Sequence, residues 1–230
     1  MLIRFIDDIV SLFYPETCIA CATEVEIPGQ LFCYYCLSDL PLTGFSFIPQ
    51  NRLETSFTGR IPMKAATALF YFHKMGPVQK MIHLLKYRGH QHIGSYIGDW
   101  LGEEMLQAKR FEGIDLILPV PLHAAKKRKR GYNQVSRFAH SLSVKLGKPM
   151  YDDLLVKISG SVSQTSKGRN ERVLEKGSGF QLLDTLNLED KHVLLVDDII
   201  TSGGTLEGCW SQLQKVKGLE ISLACMAFTA

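Results

Sequence analysis

The chain has 230 residues, 46% hydrophobic and 21% charged, with a formal net charge of +3. These totals describe a globular protein and exclude wholesale disorder or a fibrous architecture, and so small a positive excess does not by itself imply nucleic-acid binding. No uninterrupted apolar segment approaches the roughly 18 to 20 residues that cross a bilayer, so the expectation is a soluble, cytoplasmic chain without a membrane span.

In chain order, Leu2, Phe5, Ile6, Ile9, Leu12 and Phe13 follow helical spacing and predict a short amphipathic helix ending near Pro15. Asp7 and Asp8 interrupt the apolar stretch and no small-residue cleavage site follows, which argues against a signal peptide. Next come two short pairs, Cys18-x-x-Cys21 and Cys33-x-x-Cys36, separated by eleven residues. Two such turns can present four thiolates tetrahedrally, the arrangement zinc takes at a structural site, and four protein ligands leave no open position for catalysis. Disulfides are the alternative, disfavoured because the rest of the chain reads as intracellular. Metal binding would stabilise a segment of about 30 residues that has too little core of its own. Glu16, Glu24, Glu26 and Asp39 outnumber basic residues around the cysteines, which weighs against a phosphate-gripping module. A stretch rich in Pro, Gly, Ser and Thr, from Pro41 to Pro62, marks a boundary, giving a helix-and-cysteine module over 1–45 and a larger domain over 46–230.

In the larger domain, "KAATALFYF" reads as a strand, and Val78, Met81, Ile82 and Leu85 as the stripe of a helix. "IDLILPVP" is a short apolar run ended by prolines, as a buried parallel strand should be, and Val135, Phe138, Ala139, Leu142 and Leu146 mark a second helix. Lys157 to Gly179 is poor in large apolar residues and reads as a long exposed loop. "HVLLVDD" is the next strand, Leu206, Trp210 and Leu213 suggest the helix after it, and "ISLACMAF" the last strand; Cys209 and Cys225 fall in these patterns as buried thiols. The alternation predicts an α/β fold, a parallel sheet flanked by helices, with ligands at the carboxyl ends of strands.

Asp197 and Asp198 are placed at such an end, followed by Thr201, Ser202, Gly203, Gly204 and Thr205 in a turn opening a helix. Glycines let the backbone come close, and successive amides at a helix N-terminus cradle an anion such as phosphate. Carboxylates beside a phosphate repel it unless they hold something else, such as sugar hydroxyls or a divalent cation; a sugar phosphate satisfies all of these features. A nucleotide-hydrolysing strand also ends in acids, but G-x-x-x-x-G-K-[ST] is absent. Five consecutive basic residues, Lys126 to Arg130, then Gly131, Tyr132, Asn133 and Gln134, read as a turn entering a helix, where Arg128 and Arg130 suit a diphosphate. His123 is the histidine nearest this run in sequence.

"VLLVDDIITSGGT" resembles the phosphoribosyl diphosphate (PRPP) signature of type I phosphoribosyltransferases. With "PVPLHAAKKRKRGYNQ", "SQTSKGRNERVLEKGSGF" and the cysteine pairs, in this order, nearly the whole chain resembles the ComF family, phosphoribosyltransferase-like proteins linked to DNA uptake in natural competence. The resemblance implies that Asp197 and Asp198 hold ribose hydroxyls and stand at the reacting centre. It further implies that the Thr201–Thr205 turn holds the 5-phosphate, that Arg128 and Arg130 lie on the pyrophosphate side, and that Gln164, Arg169 and Arg172 belong to a closing flexible loop. Magnesium would accompany PRPP, zinc would be structural, and single-stranded DNA or DNA-uptake proteins would be partners. The function implied is PRPP binding in support of DNA uptake, with phosphoribosyl transfer to an acceptor or, alternatively, service as a catalytically silent PRPP- or DNA-binding adaptor. Lys126 stands where the family commonly has Arg, and Glu175 where it has Asn.

Overall fold

The structure, a computed structural model, describes residues 16–27, 29–158, 179–185 and 188–229; the predicted helix over 2–13 and the loop residues Gln164, Arg169 and Arg172 lie outside them. Four strands, β1 (Ala66–Tyr71), β2 (Leu116–Pro119), β5 (His192–Ile200) and β6 (Glu220–Phe228), form one sheet in the order β1-β6-β5-β2, parallel throughout. Two shorter strands, β3 (Leu155–Lys157) and β4 (Phe180–Leu182), pair antiparallel as a ribbon. Helices α1 (Tyr34–Ser38), α2 (Arg52–Ser56), α3 (Pro77–Tyr87), α4 (His92–Ala108), α5 (Ala124–Arg130), α6 (Ser136–Leu146) and α7 (Gly204–Leu213) complete the described elements, with one 3-10 turn over Phe45–Phe47.

The period-2 alternation of β5 divides the core between two layers. Val193 and Leu195 join Leu206, Cys209 and Leu213 of α7, whereas Leu194 and Val196 join Phe138, Ala139 and Leu142 of α6 with the buried face of α4. Full burial of each such Val or Leu stabilises by about 2 kcal/mol, which is why the strand reads as one unbroken apolar run. From β5 the chain crosses through α7 to β6 on one side; from β2 it crosses through α6 to Met150, which pairs parallel with Ile117 on the other. The connections leaving β2 and β5 therefore diverge, and the crevice between the carboxyl ends of these two strands is a topological switch point.

Beyond the short elements that the sequence did not mark, β3, β4, α1 and α2, three differences from the sequence expectation bear on the site. Helix α4 was not anticipated: Gly94, Gly98 and Gly102 dilute its helical signal, yet they form the face that meets α6. A Cβ on Gly98 would fall 2.6 Å from the Ser141 Cβ and 2.7 Å from the Phe138 carbonyl oxygen, and one on Gly102 2.8 Å from the Lys145 Cβ. The basic run is itself a short helix, α5, rather than a turn entering one. And β5 continues to Ile200, so Asp197 and Asp198 lie inside the strand rather than at its very end.

The cysteine segment is fastened to this frame. Cys18, Val25, Leu31, Phe32, Cys33 and Leu40 share one core with Val78, Met81 and Leu85 of α3, and Lys80 donates to the Ala20 carbonyl at 2.8 Å. Beyond Leu40, the Thr43 amide donates to Leu69 and the Tyr71 amide to Pro41, so the chain runs along the outer edge of β1.

Candidate functional site

Because successive side chains on a strand point to opposite faces, Asp197 and Asp198 diverge. Asp198, 6% exposed, faces the α6 layer, where its Oδ2 accepts from Gln134 Nε2 at 2.7 Å and pairs with Lys86 Nζ at 2.8 Å; its Oδ1 accepts from the Ile199 amide at 2.6 Å. Asp197, 8% exposed, is register-paired with Cys225 on the α7 side, and its Oδ1 accepts the Asp198 amide at 2.8 Å. Burial first, and the Asp198 carboxylate second, push Asp197 up to about 7. Both acids are thus less open than the sequence led one to expect. A hydroxyl that reaches Asp198 must displace Lys86 or Gln134.

The turn that follows is in the opposite condition. Thr201, Ser202, Gly204 and Thr205 are exposed, and among the described residues the amides of 201–205 donate to no acceptor. Gly203 takes φ +83, and a Cβ there would lie 2.4 Å from Phe57 Cε1, so only glycine fits. Arg60, stacked 5.1 Å from the Phe57 ring centroid, fixes the bend from outside: Nη2 donates to the Ser202 carbonyl at 2.7 Å and Nε to Glu207 Oε1 at 2.7 Å. The amides at the start of α7 therefore stand as an uncommitted set of donors at a positive helix end.

Acids and turn meet in a cavity of about 400 Å³ at the switch point, lined by Asp197, Asp198, Ile199 and Thr205 from one strand and turn, and by Val120 to His123 beyond β2. Its cations are Lys86 of α3, Lys126 and Arg130 of α5, and Lys157 of β3, the last lying 4.7 Å from the Phe180 ring centroid. Arg130 donates to Gln134 Oε1 and stacks 5.3 Å from the centroid of Tyr87, so Gln134 joins Arg130 to Asp198. Of the residues expected at the site, the structure gathers Asp197, Asp198, Thr205 and Arg130 around one space. Arg128 is exposed and outside that lining. His123 lines the cavity, with its Nδ1 accepting the Ala125 amide at 3.2 Å. Lys86, Gln134, Lys157 and Arg60 were missed as site residues.

Residues 120–229 match the phosphoribosyl transferase domain family model. Competence protein F of Haemophilus influenzae is 28% identical over 155 residues, 66% of this chain and 68% of that one. DNA utilization protein YhgH of Salmonella typhi is 24% identical over 156 residues, again 66% and 68%. Competence protein ComFC of Bacillus subtilis is 30% identical over 110 residues, 46% of this chain and 42% of that one. These matches support a ComF family protein. Its sheet, helices and switch-point crevice are those of a type I phosphoribosyltransferase domain. Arg60, Lys86 and Tyr87 reach the site from outside the matched segment.

The second candidate site is the cysteine cluster. The Sγ atoms of Cys18, Cys21, Cys33 and Cys36 all lie within 4.8 Å of one another, and Cys21 and Cys33 are 3.6 Å apart. A tetrahedral thiolate site with metal–sulfur distances near 2.3 Å sets sulfurs about 3.8 Å apart, so the four fit a metal such as zinc. They are free thiols rather than disulfides. The bend at Ala22, φ 62, with the Cys18 amide donating to Thr23 at 2.7 Å and the Ala22 amide to Cys18 at 2.9 Å, forms one knuckle; Cys33, at the N-terminus of α1, begins the other. The Thr23 hydroxyl pulls Cys21 down to about 6, while hydrogen bonding to Cys21 and then burial push Cys36 up to about 12. Four thiols crowd here, and a metal ion bound by them as thiolates would relieve the crowding.

Proposed function

We propose that this protein binds PRPP with magnesium at the switch-point cavity and serves DNA uptake in the cytoplasm, with zinc held structurally by the four cysteines. One observation carries the reading: a single cavity joins two strand-borne carboxylates to the helix-opening turn at Thr205 and to Lys86, Lys126, Arg130 and Lys157. The turn amides suit a 5-phosphate, the carboxylates suit ribose hydroxyls, and the cations suit a diphosphate. Magnesium would arrive on the diphosphate and neutralise part of its charge. Lys86 changes partner in this reading, leaving Asp198 as a hydroxyl arrives and turning to phosphate oxygens. The names of the relatives, competence protein and DNA utilization protein, support the cellular role. Among the described residues no helix is long and apolar enough to cross a membrane.

Transfer of the phosphoribosyl group to an acceptor is the enzymatic form of this reading. A catalytically silent adaptor is the second form. The deciding experiment is calorimetric titration of PRPP with and without magnesium, repeated on Asp198→Ala. We expect magnesium-dependent binding that weakens by about tenfold or more in the variant; equal affinities in both proteins would remove the ribose from Asp198. Pyrophosphate release across nucleobases separates the enzyme from the adaptor, and displacement of single-stranded DNA by PRPP shows whether the cations serve both ligands. Metal analysis of the purified protein tests the zinc assignment, which fails below about half an equivalent per chain.

A further inference from the structure

A groove of about 420 Å³ lies where the cysteine segment meets α3. Gln79, Lys80, His83 and Leu84 of α3 line it, with Arg88 just past the end of that helix and Ile19 from the knuckle between Cys18 and Cys21. None of these residues lines the switch-point cavity. Their polar groups are mostly donors. Lys80 Nζ donates to the Ala20 carbonyl at 2.8 Å, which fixes the ammonium at the seam and leaves two of its three donors for a ligand. Gln79 Oε1 accepts the Met75 amide at 2.6 Å, so its NH2 group is the half left to bind. Arg88 and His83 are exposed, whereas Leu84 and Ile19 are half-buried, and the described lining contains no carboxylate.

We propose that this groove docks a short, extended acidic peptide of a partner protein, its carboxylates on Lys80 and Arg88 and an aliphatic side chain against Ile19 and Leu84. Charge sets the sign of the ligand: cations with no acid among them leave a potential that an anionic partner answers. Shape sets its form. At a rise of about 1.5 Å per residue, Gln79 to Arg88 extends over about 14 Å of helix, the length of about four residues of extended chain. A compact anion fills one end of such a groove; a peptide carries its charges along it. The aliphatic pair decides between a peptide and a nucleic acid. An aliphatic side chain laid on Ile19 and Leu84 takes their remaining surface from water, whereas bases need free ring surface to stack on. The ring in this lining, His83, is already packed 4.9 Å from the centroid of Tyr87. Carboxylates gripped by clustered cations are an established mode of peptide recognition. The proposal does not depend on PRPP.

The test is calorimetric titration of the full chain with capped peptides. The first is Asp-Glu-Leu-Asp-Leu; the second, Asn-Gln-Leu-Asn-Leu, removes its charge, and the third, Asp-Glu-Ser-Asp-Ser, keeps the acids and removes the leucines. The first should bind about tenfold more tightly than either control. Arg88→Glu should weaken it by about tenfold and Arg88→Lys far less, while PRPP affinity changes little in both. Equal binding of the uncharged peptide, displacement of the acidic one by oligothymidylate or pyrophosphate as readily as by itself, or no binding at all would each overturn the proposal. Displacement by PRPP would seat the peptide in the switch-point cavity and overturn it too. So would a rise in peptide affinity on replacing Asp7→Asn and Asp8→Asn together, because the groove would then belong to the chain's own N-terminal segment.

Discussion

The acid pair and the turn that follows it stand within nine residues, Asp197 to Thr205, yet the structure prepares them oppositely. The turn is pre-organised and empty-handed: its amides donate to nothing described, and Gly203 and Arg60 hold its shape. The acids are pre-organised and occupied: Asp198 is filled by Lys86 and Gln134, and Asp197 is buried. An anion can dock on the turn without rearrangement. A sugar hydroxyl reaches Asp198 only by exchange. The difference teaches that one continuous motif can combine a ready half and a guarded half, and that Lys86 and Gln134 keep a buried carboxylate partnered until its ligand comes.

Three changes sharpen or break this contrast, from the largest effect to the smallest. Gly203→Ala attacks the shape of the ready half. A left-handed φ and a Cβ 2.4 Å from Phe57 should together destabilise by about 3 kcal/mol, on the order of 10 °C in Tm, in thermal or urea unfolding. A loss near zero would mean that the turn is not held as described.

Asp197→Asn examines the guarded half through pH. The carboxyl is raised from 3.8 to about 7, so the folded chain keeps a proton that the unfolded chain has released. Its contribution to stability is complete below pH of about 4 and is lost as the pH rises through about 7. The variant should therefore gain on the parent between pH 5 and pH 8, by up to about 3 kcal/mol. A difference that does not vary with pH would contradict the buried, proton-holding state. Arg60→Ala loosens the turn from outside, and since Arg60 and Glu207 are both exposed, stability should hardly move. PRPP affinity should fall by about threefold in calorimetry.

The four strands of the parallel sheet were legible in the sequence because each is an apolar run ended by polar, glycine or proline residues, and the sheet's burial on both faces makes that signal strong; the β3–β4 ribbon, with one buried residue in each strand, carried no such signal. The turn was legible for a similar reason: its glycines and hydroxyls act locally. Helix α4 was not, because its buried face at Gly94, Gly98 and Gly102 lacks the side chains by which an amphipathic helix is found. Nor were the partners of the site. Gln134 and Asp198 are 64 residues apart, Arg60 and Ser202 are 142 apart, and nothing local to Lys86 or Arg60 distinguishes either from a solvated charge. The divergence of Asp197 and Asp198 follows from strand periodicity alone, although the strand was read as ending two residues early, at Asp198, rather than at Ile200.

The most direct measurement is hydrogen–deuterium exchange at residues 201–205, with and without PRPP and magnesium. The account predicts rapid exchange in the free protein and pronounced slowing when ligand is bound, as the phosphate takes up the amides. Saturation with PRPP that leaves exchange at this turn unchanged would place the sugar phosphate elsewhere and contradict the assignment.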